Sequence, residues 1–237
     1  MTRQWKRVLV KVSGEALMGP ERFGFHPETM ARIAADIVKT KNLGIQVAVV
    51  VGGGNLIRGV KMADRGMERV VGDHMGMLAT VMNGLALDGA LRAAGAESRV
   101  LSAVPLPTMC EDYARQKAVH HLDMGRIVVM VGGTGNPFFT TDTTAVLRAA
   151  ETGCDVILKA TNVDGIYSAD PKKDPAAVRF DRLSADEALE KRLAVMDTAA
   201  FALARDNGLP IIVFSIHEPD AITSVLQGKA RSTYVTP

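Results

Sequence analysis

The sequence predicts an α/β protein built on a mostly parallel, buried sheet. Three observations predict it. Short β-branched runs recur along the chain, segments of helical period separate them, and glycine-rich stretches follow several of the runs. The first run, Val8 to Val12, is followed by a helix over Glu28 to Leu43. That helix places Met30, Ile33, Ile37 and Val38 on one face and stops at Gly44, a residue suited to a helix C-terminus. Gln46 to Val51 is the second strand. A long helix from about His74 to Ala94 carries Met75, Leu78, Met82 and Leu85 along one stripe. Ile127 to Val131 is the next strand, with a helix after Thr141 that ends at Gly153. Val156 to Lys159 and Ile211 to Phe214 complete the buried strands, with a helix over Asp197 to Asn207 between them. A last helix spans Pro219 to Gln227, and Ser232 to Val235 reads as a closing edge strand. The stretch from Asp164 to Asp181, rich in Asp, Pro and Lys, reads as a functional loop.

Composition bounds what such a protein can do. At 237 residues the chain fits one α/β domain, or two lobes packed closely together. Its formal charge of +2 comes from 28 basic and 26 acidic residues spread along the length, so no basic stripe awaits nucleic acid and no polybasic segment awaits a membrane. With 47% hydrophobic residues it can bury a substantial core. Cys110 and Cys154 stand apart, with no CxxC and no adjacent histidine pair. They offer neither a disulfide framework nor a zinc site, and a reducing, cytoplasmic setting is expected. The apolar runs are far shorter than the ~18 residues that span a bilayer.

The chemistry gathers where the strands end, because ligands of open α/β sheets bind outside the carboxyl ends. Those ends read KVSGE, VGGGNLIRG, VGGTGNPFFTTDT and KATNVDGIYSAD. Glycine lets backbone N–H groups form a concave nest for an anion, and three such loops on one sheet edge point to phosphate. A dinucleotide fingerprint would need glycine at Ile57, and no GxxxxGK[ST] occurs. Lys11 ends an apolar strand, where an unpaired ammonium is costly, so an anion or carboxylate should meet it. Arg58 follows the Gly52-Gly53-Gly54 nest, placed for a bidentate phosphate contact. Asp73 precedes the long helix as N-cap or ligand. Gly76 and Gly84 inside that helix indicate close approach of another backbone or a ligand. Thr134, Asn136, Thr140 and Thr141 supply hydroxyls and an amide ahead of a helix N-terminus that favours an anion. Asp142 would repel a phosphate directly, so it either caps the helix or orients a lysine or a metal-bound water. Asp197 carries the same ambiguity.

KVSGEAL, VVVGGGNLIRG, RVVGDHMGMLATVMNGLAL, GTGNPFFTTDT, LKATNVDGIYSADP and VMDTAAFALARD, in this order, resemble the bacterial uridylate (UMP) kinases of the amino acid kinase superfamily. KATNVDGIYSADP is similar to many members of that superfamily, whereas GDHMGMLATVMNGLA and GTGNPFFTTDT are more specific to the UMP kinases. The resemblance implies a three-layer αβα sandwich in which residues 1–237 form one domain. Its N-terminal part would serve mainly the acceptor UMP and its C-terminal part mainly ATP. The implied reaction moves a phosphoryl group from MgATP to UMP, with Mg²⁺ arriving on the nucleotide phosphates rather than on a dedicated metal site. Position by position, the resemblance assigns Lys11, Val12, Ser13, Gly14, Gly54, Arg58, Thr161, Asn162, Tyr167 and Asp170 to ATP. It assigns Gly53, Asp73, Thr134, Gly135, Asn136, Pro137, Phe138, Phe139, Thr140 and Thr141 to UMP, and Lys11, Arg58, Asp142 and Asp197 to catalysis.

It further implies a homohexamer with a GTP or UTP effector between subunits, near Gly19 to Gly24, Arg92, Arg99, Arg115 and Arg126. Asp88 stands where several relatives carry arginine, and Arg115 where some carry tryptophan, so weak or absent activation by GTP is expected. Two rivals remain at this level. One is another kinase of the same fold acting on a carboxylate or carbamate, and the other is a non-catalytic nucleotide sensor or oxyanion-storage protein.

Overall fold

The β-branched runs become the strands of one sheet in a computed structural model that describes residues 5–57, 66–171, 173–193 and 195–237. Numbered along the chain, the strands are β1 (Arg7–Val12), β2 (Gln46–Val51), β3 (Ser98–Ser102), β4 (Glu111–Asp112), β5 (Ile127–Val131), β6 (Val156–Thr161), β7 (Ile166–Tyr167), β8 (Arg179–Phe180), β9 (Arg182–Ser184), β10 (Ile211–Ser215) and β11 (Ser232–Thr236). The helices are α1 (Pro27–Asn42), α2 (Arg69–Ala93), α3 (Arg115–Asp123), α4 (Thr141–Thr152), α5 (Ala185–Glu190), α6 (Thr198–Asp206) and α7 (Ala221–Leu226), with a 3₁₀ turn at Gly14–Leu17 after β1.

Nine strands pair in the order β4-β3-β5-β2-β1-β6-β10-β11-β9, while β7 and β8 form a separate hairpin. Among the described residues, only the β10–β11 pairing in the large sheet is antiparallel. Strand residues alternate between two cores, as the two-residue period requires. Val8, Val10 and Val12 pack with Ile33 and Ile37 of α1, Leu87 and Leu91 of α2, and Ile222 of α7. Leu9, Ala48 and Val50 pack on the other face with Leu122 of α3, Val146 of α4, Ala188 of α5 and Phe201 of α6. Helices thus cover both faces, giving the three-layer αβα arrangement.

Two expectations need correction. Ser232–Thr236 is not the edge, because the three-residue β9 pairs parallel with it from outside. So short a strand leaves little periodic signal in the sequence. The long helix starts at Arg69, not near His74, so Asp73 lies inside it and Glu68 occupies the N-cap position. The extra turn includes Val70 and Val71, which propensity disfavours. It is supported by an Arg69–Asp73 ion pair at 2.9 Å, four residues apart. Strand β3 and helix α3 were not legible at all, for Ser98–Ser102 and Arg115–Asp123 carry weak periodicity. Gly153 does terminate α4 in a left-handed conformation, φ +68°.

Candidate active site

Register brings two lysines together. Lys11 of β1 and Lys159 of β6 are paired residues of adjacent parallel strands, so their side chains leave the same face of the sheet. That face is covered by α4, whose first turn holds Asp142. Asp142 lies 2.8 Å from Lys11 Nζ, and Lys159 Nζ donates to both of its oxygens at 2.6 Å. Both lysines are buried, at 6% and 5% exposure. Two ammonium groups therefore share one carboxylate in a poorly hydrated place. Burial opposes ionisation of Asp142, but Lys11 and Lys159 outweigh it and hold the carboxyl down at about 2. Burial first, and then the like charge of Lys11, pull Lys159 down to about 8 against the attraction of Asp142.

Of the roles open to Asp142, orienting lysines is the one the geometry displays. Thr140 caps α4, its Oγ1 accepting from the N–H of Asp142 at 3.0 Å and of Thr143 at 3.4 Å. Asp197 is the N-cap of α6, accepting from Ala200 N–H at 2.8 Å. It also receives the Thr143 hydroxyl at 2.8 Å and the Thr140 hydroxyl. Asp197 thereby fixes the start of α4 and, through it, Asp142. Lys159 is the buried cation of this site that sequence reasoning missed. Its signal was present in two apolar strands that each carry a lysine near the carboxyl end, VLVKV and VILKAT.

The glycine loops meet as expected. A Cβ on Gly14 would lie 2.6 Å from Asn55 Oδ1 and 2.7 Å from Gly54 N, and one on Gly52 would lie 2.8 Å from Gly14 N. The β1 and β2 loops touch backbone to backbone, so neither position admits a side chain. Gly53 is pressed against Gly76 O, 2.8 Å from its would-be Cβ, which requires glycine at 53, whereas a Cβ on Gly76 itself would meet no atom within 4 Å and would open into the cavity at β2 and β5, so the close approach expected at Gly76 is not seen. At Gly84 a Cβ would fall 2.2 Å from Val131 Cγ1, so a strand side chain, not a ligand, excludes larger residues there. Ser13 caps the 3₁₀ turn, and Val12 is buried with its carbonyl accepting from Gly52 N–H at 2.9 Å. Arg58 lies outside the described residues.

Two cavities flank the lysines. One of about 430 Å³ lies at the ends of β2 and β5 and is lined by Gly53, Gly54, Asp73, Thr134, Asn136, Phe139, Thr140 and Thr141. Of the other residues assigned to UMP, Gly135 faces an adjoining cavity beside His74 and Met77. Phe138 is exposed with φ +72°, its N–H bonded to Asp73 Oδ2 at 2.8 Å and its ring beneath Arg69. Thr134 and Asn136 bond to each other across the turn, at 3.2 Å. The other cavity, about 620 Å³, lies at the ends of β6 and β10 and is lined by Asn162, Tyr167, Pro171 and Ser215. Tyr167 donates to Asp164 at 2.6 Å. Thr161 ends β6 beside Ser215, and Asp170 precedes Pro171 at the cavity rim. Because β1 and β6 lie between β2 and β10 in the sheet, Lys11 and Lys159 sit between the two cavities. A larger cleft of about 1140 Å³ opens at the amino ends of the strands beside Trp5 and Asp155. It lies at the wrong end of a parallel sheet for a ligand, and Arg7 there is already paired with Asp123 and Gln46.

Among the described residues no group of His, Cys, Asp and Glu is arranged to hold a metal ion, and no helix is long and apolar enough to cross a membrane.

Comparison with known proteins agrees with this geometry. The amino acid kinase family matches residues 6–215. The chain is 61% identical over 233 residues to a uridylate kinase of Azorhizobium caulinodans, covering 98% of each. It is 58% identical over 232 residues to a uridylate kinase of Sinorhizobium medicae, covering 98% of this chain and 97% of that one. The crystal structure of UMP kinase from Bacillus anthracis superposes with a TM-score of 0.94 at 40% identity, covering 99% of this chain and 97% of that chain. With that breadth of match, the chain belongs to the amino acid kinase family, in its uridylate kinase branch.

Proposed function

We propose that the protein transfers the γ-phosphoryl group of ATP to UMP, giving ADP and UDP, with Lys11 and Lys159 as the cationic clamp between the two nucleotides. The observation that carries this reading is the pair of buried lysines on one carboxylate, flanked by a cavity on either side. UMP occupies the cavity at β2 and β5, with its phosphate on the Gly53–Gly54 nest and its ribose near Asp73. ATP occupies the cavity at β6 and β10, with its phosphates reaching Ser13 and Gly14.

A phosphate monoester has its second pKa at ~6, so the attacking oxygen of UMP is already an anion at neutral pH. No general base is needed. Asp142, held at about 2, keeps no proton at that pH and serves to hold the lysines in place. The UMP oxygen forms its bond to the γ-phosphorus as the bond to the β–γ bridging oxygen breaks, and the electron pair stays on ADP. What limits such a transfer is positioning and charge on the moving group, which two ammonium groups in a dry site are built to stabilise. Mg²⁺ carried on the ATP phosphates supplies further neutralisation of charge. The lysines and threonines already engage Asp142 and Asp197, so these carboxylates are not the ion's principal ligands. We further propose the homohexamer that the family resemblance implies.

A coupled ADP-release assay with UMP, CMP, aspartate, glutamate and carbamate offered separately tests the assignment. Turnover is expected with UMP. Turnover with an amino acid or carbamate alone would reassign the acceptor, and none with any of them would favour a nucleotide sensor.

A further inference from the structure

Beneath the glycine nest lies a buried pair of primary amides. Asn83, on α2, is 0% exposed, and Asn55, in the loop after β2, is 3% exposed. Each donates to the other, Asn83 Nδ2 to Asn55 Oδ1 at 2.6 Å and Asn55 Nδ2 to Asn83 Oδ1 at 3.1 Å. An amide nitrogen has two hydrogens, and the second of each goes to a backbone carbonyl. Asn83 takes Gly52 O at 2.7 Å, and Asn55 takes Gly24 O at 2.7 Å. The Gly24 N–H returns to Asn55 O at 3.2 Å. Two amides at buried positions that leucine could fill need full satisfaction to be tolerated, and these have it.

Their placement bears on the anion. A nest attracts phosphate only while its N–H groups face the ligand and its carbonyls face away. Asn83 holds the Gly52 carbonyl inward, and the Gly53 carbonyl accepts from the N–H groups of Leu56 and Ile57, both at 3.0 Å. Neither asparagine lines the UMP-side cavity, so neither acts by touching the nucleotide.

We propose that Asn83 and Asn55 are positioning residues that set the phosphate affinity of the nest, and that through Gly24 they join its orientation to the loop between the 3₁₀ turn and α1. This rests on reading the nest as the UMP phosphate subsite. Removing the Asn83 amide frees the Gly52 carbonyl to turn toward the anion, and removing the Asn55 amide takes away the partner that orients Asn83, so in both cases phosphate recognition weakens while the base and ribose contacts stay.

The test uses the whole enzyme, with Asn83→Ala and Asn55→Ala each titrated with UMP and with uridine and each checked for its melting temperature. UMP affinity should fall about tenfold in each variant while uridine affinity stays within about twofold of the unaltered protein. The double variant should be no weaker than the worse single one, because the two amides act as one unit. Unchanged UMP affinity, or equal weakening of UMP and uridine as in a merely loosened core, overturns the proposal. Asn55→Ala, which lies outside the helices, keeps the question open to test if Asn83→Ala does not fold. If the unaltered protein binds UMP no better than uridine, the phosphate-subsite reading itself is wrong.

Discussion

Two clusters of cations in this molecule use similar residues to opposite ends. At the carboxyl ends of β1 and β6, Lys11 and Lys159 share Asp142 and are buried. Around the β3–β4 edge, three arginines each have an acid, Arg92 with Asp88 at 2.8 Å, Arg126 with Glu97 at 3.0 Å, and Arg99 beside Glu111 at 3.8 Å, while Arg115 donates to the Glu151 carbonyl at 2.6 Å. Asp88 lines the same cavity as Arg92 and Arg99, and it also accepts the Ser98 hydroxyl at 2.5 Å. The first cluster holds more cation than its shared carboxylate neutralises, in a poorly hydrated place, and so stands ready for an anion. The second is balanced pair by pair, with at least one partner of each pair reaching water, where screening leaves such a pair worth only ~0–1 kcal/mol. The sign and burial of the local charge, rather than the number of basic residues, separate a phosphate site from a solvated surface.

The comparison can be broken most forcefully at Asp142. Asp142→Asn removes the carboxylate that two buried ammonium groups share, and should cost about 3–5 kcal/mol of stability by denaturant unfolding. An unchanged midpoint would show that the lysines do not depend on it. Next come Lys11→Met and Lys159→Met, each expected to lower kcat by about 10²–10³ while raising KM for UMP far less, because the contact strengthens as charge develops on the moving group. If kcat is unaltered in either variant, that lysine is not part of the clamp.

A pH series sharpens the contrast without mutation. Lys159 loses its proton in the folded protein at about 8, whereas in the unfolded chain it keeps it to 10.5. Activity of the free enzyme should therefore fall as pH rises through about 8. Folding stability contributed by this group should rise over that window, because the unfolded chain holds the extra proton. Asp142 carries the same sign at the acid end, where the stability it contributes is present above 3.8 and lost as pH falls through about 2. Activity and stability that decline together above pH 8 would remove Lys159 as the titrating group.

The smallest effect is expected at the balanced cluster. Velocity at subsaturating ATP should respond weakly or not at all to GTP, since Asp88 occupies Arg92 and would repel a triphosphate. Asp88→Ala should leave stability within about 1 kcal/mol and raise any response to GTP. Severalfold activation of the unaltered protein at micromolar GTP would show that the pairing yields to the nucleotide.

By itself the sequence determined the α/β class, the buried central strands, the glycine-lined edge and the anion expected at Lys11. These rest on local chemistry: apolar runs of strand length, glycines after them, and an ammonium stranded among valines. Only the tertiary structure decided what Asp142 does, because a carboxylate in the first turn of a helix reads equally well as a cap until the strand register sets Lys11 beside Lys159. The same holds for Asp73, whose place inside α2 depends on an Arg69 contact and packing that outweigh the propensities of Val70 and Val71. It holds again for Asn55 and Asn83, 28 residues apart. In the sequence they are ordinary polar residues, and only a helix laid across the glycine loop turns them into a pair, since a side-chain hydrogen bond is a property of three-dimensional distance.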